Sequence, residues 1–451
     1  MENTIKKSSL INYIIFVAII FRCIPNLIVI SYILLIILCF LGPRPLIISF
    51  FLCWLFSSLN LEIFPNGDTY KNTRFIIIFI GLFQSFHLLS KIDIKKNVNI
   101  YFYLTLFVLF VLIHSLFVSS IISISILKIL LWFSSFVLLI NSWIKISQKE
   151  FNRLIKNIFW IFIAIVFFSL LIINSKFAYI KNIDHFQGII NHPQHFAIML
   201  VIFMTMIFTG FPYKLYSRKI RLLILLPLIY MLFLTNSRTG ILTFVLIYLI
   251  YLMIDPTFDN IRKKYTNTTK LIFLFSILVM PLLILSFFQI NTYLQVELIQ
   301  NFITKSSDIQ YQSLFENYGV SRGIILSESI INIKNNLWSG IGFGIGSDLN
   351  DFYLKIKSEP IFGIPYSAPI EKGNLFIAVF EELGAFGFIL FILFLFICYL
   401  NIYKGSFRGL PMFCAIILLN LGEFTFFSPG SAGGLCLIFF TLVVVRKEFK
   451  F

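Results

Sequence analysis

Charged side chains are scarce in this chain. Asp, Glu, Lys and Arg make up 12% of the 451 residues and 59% are hydrophobic, whereas a soluble domain is about 25% charged and about 45–50% apolar. This shortage excludes an ordinary soluble protein. Because apolar runs are spread along nearly the whole chain, we predict one all-α polytopic membrane bundle rather than several soluble domains.

Metal-ligand and disulfide patterns are also missing. The six cysteines lie in or beside apolar runs, with no CxxC pair and no histidine at metal-ligand spacing. We interpret them as packing or lipid-facing residues, and we predict neither a metal site nor a cofactor. The net charge of +16 comes from cations that fall between hydrophobic runs rather than in one patch, so no nucleic-acid partner is predicted.

The apolar runs predict 12 to 14 transmembrane helices. The first two runs are broken at residues 22–26 and form either a hairpin or one bent element. The predicted spans are Ile11–Phe21, Leu27–Leu41, Leu46–Leu59, Phe75–Leu89, Ile100–Val118, Ile121–Ile140, Leu154–Ile173, Phe196–Thr209, Leu222–Leu234, Ile241–Ile254, Leu271–Phe288, Leu375–Leu400, Leu410–Leu421 and Leu435–Val445.

The distribution of Lys and Arg predicts the orientation of these spans. With the N-terminus in the cytoplasm, the inner connections carry 23 Lys and Arg, and the short outer connections carry six. This is a strong positive-inside bias, so both termini are predicted to be cytoplasmic. The first span has no small-residue cleavage site and is interpreted as uncleaved. The six outer cations are Arg22, Lys71, Arg74, Lys176, Lys181 and Arg238.

One long segment, Ile290–Gly373, is predicted to lie outside the membrane and carries eight of the 20 acidic residues. We therefore divide the single integrated domain into a transmembrane bundle at 1–289, a large periplasmic or extracellular loop at 290–373 and C-terminal helices at 374–451. Within the loop, Leu326, Ile330, Ile333 and Leu337 recur at helical spacing. They predict an amphipathic helix that begins near residues 321–322 and lies on the membrane or bundle surface.

A short polar break at residues 235–240 (TNSRTG) places Arg238 at a membrane boundary between two apolar runs. An arginine near hydrocarbon is costly unless it snorkels, pairs or faces a polar cavity. A snorkelling interface arginine is one interpretation. The neighbouring hydroxyl groups, including that of Ser237, favour a pocket with a cation and hydroxyls.

Three other patterns could carry chemistry. His192, before Pro193, either caps the next helix or contacts substrate at the outer mouth of the bundle. Residues 337–346 (LWSGIGFGIG) include Trp338, and their glycines predict a turn whose backbone approaches a neighbouring helix, because no βαβ setting surrounds them. The segment Glu371–Asn374 precedes two adjacent carboxylates, Glu381 and Glu382, inside an apolar span.

Adjacent carboxylates in an apolar span need a partner or a wet cavity. We expect at least one of Glu381 and Glu382 to face the bundle interior, because successive helical positions point about 100° apart. Lys128 is the other cation inside an apolar run. It has few polar neighbours in sequence, so structural pairing or snorkelling is predicted for it.

In order and spacing, these patterns resemble the O-antigen ligase/polymerase superfamily of bacterial envelope glycan assembly. The resemblance covers roughly the second half of the chain and consists of several individually weak motifs. The resembling residues are Asn191-His192-Pro193, Ser237-Arg238-Thr239-Gly240, Arg322, Trp338 with the glycines after it, Gly373-Asn374, and Glu382-Leu383-Gly384 with Gly387.

The resemblance implies a metal-independent glycosyltransferase that acts at the outer face of the bacterial cytoplasmic membrane. Its substrate would be a glycan linked to undecaprenyl diphosphate, with a flippase and a chain-length regulator as further partners. Arginine suits a departing diphosphate, because its planar fork matches phosphate oxygens. We expect Arg238, Arg322, Lys372, Glu371 and Glu382 to carry the reaction, and His192, Asn374, Trp338 and Ser237 to bind substrate.

The activity itself has three candidates. Ligases of the superfamily carry His-Asn at the re-entry point where this chain has Gly373-Asn374. That histidine is the proposed activator of the acceptor, so its absence favours a polymerase of repeat units over ligase-type transfer to an acceptor. Acceptor activation then falls to Glu371, Glu382 or His192. A flippase or other transporter is the third candidate, but it needs no long outer loop with Arg322.

Overall fold

A computed structural model describes residues 2–64, 73–88, 97–180, 185–210, 218–254, 324–358, 365–367, 372–405, 407–430 and 432–446. The described chain is almost entirely helical. Its first seven α-helices are α1 (Glu2–Cys23), α2 (Ile28–Cys39), α3 (Pro43–Ser58), α4 (Thr73–Leu88), α5 (Val98–Val118), α6 (Ile122–Lys145) and α7 (Gln148–Leu171).

Of the remaining eight described α-helices, two belong to the large loop and six to the bundle. They are α8 (Pro193–Thr209), α9 (Arg218–Leu234), α10 (Arg238–Ile254), α11 (Ile324–Asn335), α12 (Leu349–Leu354), α13 (Leu375–Gly405), α14 (Leu410–Leu419) and α15 (Ala432–Val445). Two short strands, β1 (Lys357–Ser358) and β2 (Pro365–Ser367), pair antiparallel. The described residues also include three 3₁₀ turns, at Pro25–Leu27, Lys176–Ala178 and Phe407–Gly409.

Length and composition make this an all-α polytopic membrane protein. Helices α5, α6, α7 and most of α13 are long and apolar enough to cross a membrane, and nine shorter helices of 10–17 residues are also apolar. These helices correspond to 13 of the predicted spans. The remaining predicted span, Leu271–Phe288, lies outside the described residues. Helices α1 and α2 pack against each other as a hairpin, so the first break separates two helices.

The described helices of the bundle share one hydrophobic core. Buried apolar residues form a continuous cluster from Ile11 to Val445. Aromatic rings gather around Trp132, whose ring centroid is 5.0 Å from that of Phe427 and 5.3 Å from that of Phe136. Many large apolar side chains point outwards, such as Phe117 with 85% of its surface exposed, as expected for helices whose outer faces meet lipid.

Several helix ends meet at one end of the bundle, which we call the Arg238 end. It comprises the C-terminal ends of α3, α9 and α14 and the N-terminal ends of α8, α10 and α13. Backbone hydrogen bonds join these elements: Asn191 N–H to the Ser58 carbonyl (2.8 Å), Phe186 N–H to the Leu234 carbonyl (3.1 Å) and Leu375 N–H to the Asn420 carbonyl (2.9 Å).

The opposite end of the bundle, which we call the Arg446 end, brings both ends of the described chain together. Arg446, just after α15, donates to the side chain of Gln148 at the start of α7 (2.5 Å). Arg44, at the start of α3, donates to Asn12 in α1 (2.5 Å) and lies within electrostatic range of Arg153 in α7. The N-terminal half of α1 and the C-terminal end of α15 therefore lie at the same end.

The predicted amphipathic helix of the loop exists as α11, but it ends at Asn335, before Leu337. Ile330 and Leu337 are exposed, whereas Ser329 is fully buried. The side of α11 that contacts α13 is therefore polar. Its apolar residues do not all pack on the bundle, because Ser329 and Asn332 instead satisfy a buried carboxylate of α13, described below.

Candidate functional site

Two buried carboxylates at the start of α13 form the centre of the site. Glu381 and Glu382 are both completely buried. The expectation that at least one faces the interior is therefore confirmed, and both do. Both can be buried because residues of the large loop cover them. The helix is broken two residues later: Gly384 has φ +65° and ψ −172°, which is not helical.

The break frees backbone groups that a continuous helix would have paired, and the glycine loop takes them up. The carbonyls of Glu381 and Glu382 accept hydrogen bonds from the N–H groups of Ile341 (2.9 Å) and Gly342 (3.0 Å). The N–H of Ala385 donates to the Leu337 carbonyl (2.9 Å). Buried backbone groups need such partners, so the loop and the broken helix complete each other.

Two glycines make this approach possible. A Cβ on Gly384 would lie 2.2 Å from the Trp338 carbonyl oxygen, and a Cβ on Gly340 would lie 2.6 Å from the Glu382 carbonyl oxygen. Both glycines also have positive φ, which other residues adopt only at a cost. The prediction that the glycine-rich stretch lets backbone approach a neighbouring helix is confirmed.

The Glu381 carboxylate is held by donors from three segments of the chain. Asn332 of α11 donates to Oε1 (2.8 Å), and Ser329 of α11 donates to Oε2 (3.0 Å). Ser347, in the loop after α11, donates to the same Oε2 (3.1 Å), and the ammonium of Lys372 lies 3.0 Å from it. Glu381 therefore ties the large loop to the start of α13.

Glu382 completes a balanced charge network with two lysines. Its Oε1 lies 3.4 Å from Lys372 Nζ and 3.7 Å from Lys128 Nζ, and its Oε2 accepts the N–H of Gly344 (2.7 Å). Two carboxylates and two ammonium groups leave no net charge, which makes their burial tolerable. We call Lys128, Lys372, Glu381 and Glu382 the buried charge network.

Lys128 crosses from α6 to this network. Its ammonium lies 4.8 Å from the ring centroids of both Phe343 and Phe424, so it is also stabilised by cation–π contacts. The structural pairing predicted for Lys128 is confirmed. The loop is anchored on α6 a second time, where Ile345 and Phe352 pack with Ile124.

The chemical consequence of the network is rigidity. Both carboxylates are surrounded by hydrogen-bond donors from the loop and by lysine, and neither has exposed surface. As it stands, the network positions the loop over the Arg238 end. Lys372 and Glu382, which were both predicted to be site residues, lie next to each other in the structure. Their catalytic role stays a prediction.

Arg238 begins α10 at the Arg238 end. The turn before it places Asn236 at φ +52°, and Ser237 caps the helix, because its hydroxyl accepts the N–H of Gly240 (3.2 Å). The next residue, Thr239, packs against the backbone of Gly422. Arg238 is half-buried, and its charge lies at a helix N-terminus, where the aligned N–H groups favour anions.

Two predicted substrate-binding residues are also helix caps. His192 Nδ1 accepts the N–H of Gln194 (3.3 Å), and Pro193 opens α8. Asn374 Oδ1 accepts the N–H groups of Phe376 (2.9 Å) and Ile377 (3.2 Å) at the start of α13. The capping interpretation of His192 is confirmed. Contact of either residue with substrate stays a prediction.

Trp338 contributes its backbone rather than a buried side chain. Its side chain is 62% exposed, and its ring packs on Phe386 with a centroid distance of 5.4 Å. Arg322 and Glu371 lie outside the described residues, so the predicted meeting of Arg238 with Arg322 is not tested. Within the described part of the chain, no group of three or more His, Cys, Asp or Glu side chains could hold a metal ion.

Sequence reasoning missed the polar residues that surround Glu381 and the start of α13. Ser329, Asn332 and Ser347 have ordinary polar neighbourhoods in sequence. Asn420 is buried, and its side-chain oxygen accepts the N–H groups of Thr425 (3.0 Å) and Phe426 (2.8 Å). The available signal was the isolated asparagine at the end of an apolar run, since such a residue needs internal partners.

The fold and the site define a polytopic membrane protein with a buried charge network in α13 and a half-buried arginine at the start of α10. Residues 223–392 match the family described as O-Antigen ligase. The match begins in α9, includes Arg238 and the buried charge network except Lys128, and ends in α13. It supports the assignment of the chain to the O-antigen ligase/polymerase superfamily, whose members are glycosyltransferase-like enzymes. No curated protein matches the chain.

Proposed function

We propose that this protein polymerises oligosaccharide repeat units linked to undecaprenyl diphosphate, at the outer face of a bacterial cytoplasmic membrane. The product would be an O-antigen, a capsule or an exopolysaccharide. The observation that carries the proposal is the position of Arg238, half-buried at the start of α10 within the region that matches the O-antigen ligase family. Following the resemblance, the proposed reaction uses no metal ion.

In the proposed reaction, an acceptor hydroxyl attacks the sugar carbon that bears the diphosphate. The bond from carbon to the diphosphate oxygen breaks, and the negative charge of the departing group is stabilised by arginine. Arg238 takes this role, together with Arg322 of the large loop. The N-terminus of α10 adds its aligned N–H groups to the same end.

Lys372 and Glu382 enter the proposal as positioning residues. Both are buried in the charge network, which holds the loop after α11 against α13. Arg322 lies two residues before α11 in sequence, so a rigid α11 would support its placement. Activation of the acceptor hydroxyl is then assigned to His192 or to Glu371.

Ligase-type transfer to a second acceptor is the alternative. It is favoured by the description of the matched family as O-Antigen ligase. The glycine at position 373, where ligases carry histidine, favours polymerisation. The orientation, with both termini in the cytoplasm, is part of the proposal and follows from the positive-inside bias.

Substitution of Arg238 by Ala tests the proposal in cells that make the glycan. We expect the variant to insert normally and to abolish chain extension, so that the polysaccharide ladder collapses to single repeat units on a gel. Arg238→Lys keeps the charge but loses the planar fork, so it should restore only part of the ladder. Lys176→Ala removes an exposed cation of the same end and is the matched control.

Three results distinguish the candidates. Unchanged ladders in Arg238→Ala cells would remove Arg238 from the mechanism. Long chains that accumulate on the carrier lipid without reaching their final acceptor would identify a ligase. Repeat units trapped on the cytoplasmic side would identify a transporter.

A further inference from the structure

The turn after α14 touches three parts of the site. We call residues 420–427 (NLGEFTFF) the Asn420 turn; they follow α14 at the Arg238 end and lie outside the region that matches the O-antigen ligase family. None of the residues predicted for the site belongs to this turn. Its contacts nevertheless join the start of α10, the start of α13 and Lys128 of the buried charge network.

Asn420 fixes the shape of the turn and is completely buried. Its side-chain oxygen accepts the N–H groups of Thr425 (3.0 Å) and Phe426 (2.8 Å). Its side-chain nitrogen donates to the Ile416 carbonyl (2.9 Å). One side chain therefore closes the turn on itself and ties it to α14, which makes the turn a rigid support.

The turn meets α10 through Gly422. A Cβ on Gly422 would lie 2.7 Å from both Cβ and Cγ2 of Thr239, and closer still to the Thr239 hydroxyl oxygen. The φ of Gly422 is not positive, so its backbone conformation does not require glycine. Glycine is required because the start of α10 lies directly against the backbone of the turn.

The start of α10 is supported on a second side by α8. A Cβ on Gly240 would lie 3.2 Å from Cβ of Ala197 in α8 and 3.1 Å from a methyl group of Leu232. Thr239 and Gly240 follow Arg238 directly, so the first turn of α10 is held between the Asn420 turn and α8. A side chain added at position 422 would therefore displace the first turn of α10, and Arg238 with it.

The same turn also supports the start of α13 and the buried charge network. The Asn420 carbonyl accepts the N–H of Leu375, the first residue of α13 (2.9 Å). The ring centroid of Phe424 lies 4.8 Å from Lys128 Nζ. Arg238 and the buried charge network are therefore built on one common support.

We propose that the Asn420 turn positions Arg238 relative to the buried charge network, with Gly422 and Asn420 as its positioning residues. The turn then sets where the guanidinium group meets the departing diphosphate. The inference deepens the proposed function and rests on it for the effect on turnover. The position of residue 238 does not depend on that function and can be measured separately.

Cysteine labelling measures the position of residue 238 without reference to activity. Arg238→Cys is placed in a Cys23→Ser background of the full-length protein, and its rate of reaction with a soluble maleimide is compared with and without Gly422→Ala. We expect several-fold faster labelling with Gly422→Ala, because overpacking shifts the first turn of α10 away from its supports. Gly81→Ala, a helical glycine with room for a methyl group, should not change the rate. Lys176→Cys, an exposed reporter at the same end, should react equally with and without Gly422→Ala.

Turnover of the lipid-linked repeat unit by the purified protein measures the consequence. In Gly422→Ala, kcat should fall about 10–100-fold with little change in KM, because a small misplacement of Arg238 weakens the stabilisation of charge that forms only in the transition state. The double variant Gly422→Ala/Thr239→Gly removes the side chain that the new methyl group meets, and it should recover most of the lost kcat. A purely structural defect would lower the yield of folded protein without this split between kcat and KM.

The outcomes separate this inference from the proposed function. Unchanged labelling of position 238 in Gly422→Ala, or equal acceleration at position 176, would overturn the role of the turn. Faster labelling of position 238 with unchanged turnover would support the contact but refute the role of Arg238 in the proposed function. If Gly422→Ala cannot be purified, Thr239→Gly decides: loss of the contact should also speed labelling of position 238, and an unchanged rate would overturn the inference.

Discussion

Buried cations of this protein are compensated in two different ways. Lys372 lies between Glu381 and Glu382, so its ammonium group has two carboxylate partners. Arg22 has a single backbone acceptor among the described residues. Removing one member of a balanced pair leaves its partner buried and unpaired, which is more costly than the net contribution of the pair. A substitution at the balanced site should therefore act mainly on stability.

Lys372→Met should destabilise the protein by about 3–5 kcal/mol, because two carboxylates then stay buried with less positive charge. The measurement is thermal unfolding of the purified protein in detergent. The double variant Lys372→Met/Glu381→Gln should lose less than the sum of the two single variants, since the removed charge no longer needs its partner. Single and double variants that lose stability additively would contradict the ion-pair interpretation.

At the scale of elements, α13 is divided by the break at Gly384. The short first part carries both carboxylates and is capped by Asn374. The break supplies free carbonyls to residues 341–342, so the loop is docked by backbone as well as by charge. The glycine at the break is required by geometry, because its φ is positive and its neighbour is a carbonyl oxygen.

Gly384→Ala should destabilise the docked loop and shorten the polysaccharide ladder. The backbone conformation at Gly384, φ +65° with ψ −172°, is essentially restricted to glycine and costs another residue about 1–3 kcal/mol, and the added Cβ would collide with the Trp338 carbonyl. Limited proteolysis of the 337–347 segment and thermal unfolding would report the effect. Gly81→Ala is the control: its Cβ would meet Leu138 at an ordinary 3.6 Å. Equal protease resistance of the two variants would refute the role of the break.

At the scale of the whole molecule, the two ends of the bundle differ in their charges. At the Arg446 end, four cations surround the start of α7, and two of them, Lys149 and Lys156, are exposed. Among the described residues, the Arg238 end has fewer cations. Arg22 and Lys372 are buried there, and Arg74 and Arg238 are half-buried. This asymmetry is the structural counterpart of the positive-inside bias.

Labelling of single cysteines in intact cells should reveal the orientation. In a Cys23→Ser background, which removes the exposed native thiol, Lys176→Cys at the Arg238 end should react with a membrane-impermeant maleimide. Lys149→Cys at the Arg446 end should react only after the cells are opened. The reverse pattern would place the Arg238 end in the cytoplasm, and the proposed function would fail with it.

Much of the fold could be predicted because its signals are local. Lengths of apolar runs, Pro193 at a helix start and the short break before Arg238 each act within a few residues. The helix in the loop was also predictable, but its apolar spacing did not reveal that polar residues contact α13. Ser329 and Asn332 face inwards because a carboxylate from a distant helix needs their hydrogen bonds.

The sequence by itself determined the membrane class of this protein, the positions of its described spans and the need of Glu381 and Glu382 for partners. Only the tertiary structure decided which residues became those partners. It also decided that Arg22 donates to the Phe56 carbonyl at the end of α3 and that Arg74 donates to the Gly430 carbonyl before α15. The physical reason is that hydrophobicity and capping depend on neighbouring residues, whereas compensation of a buried charge depends on which helices pack together.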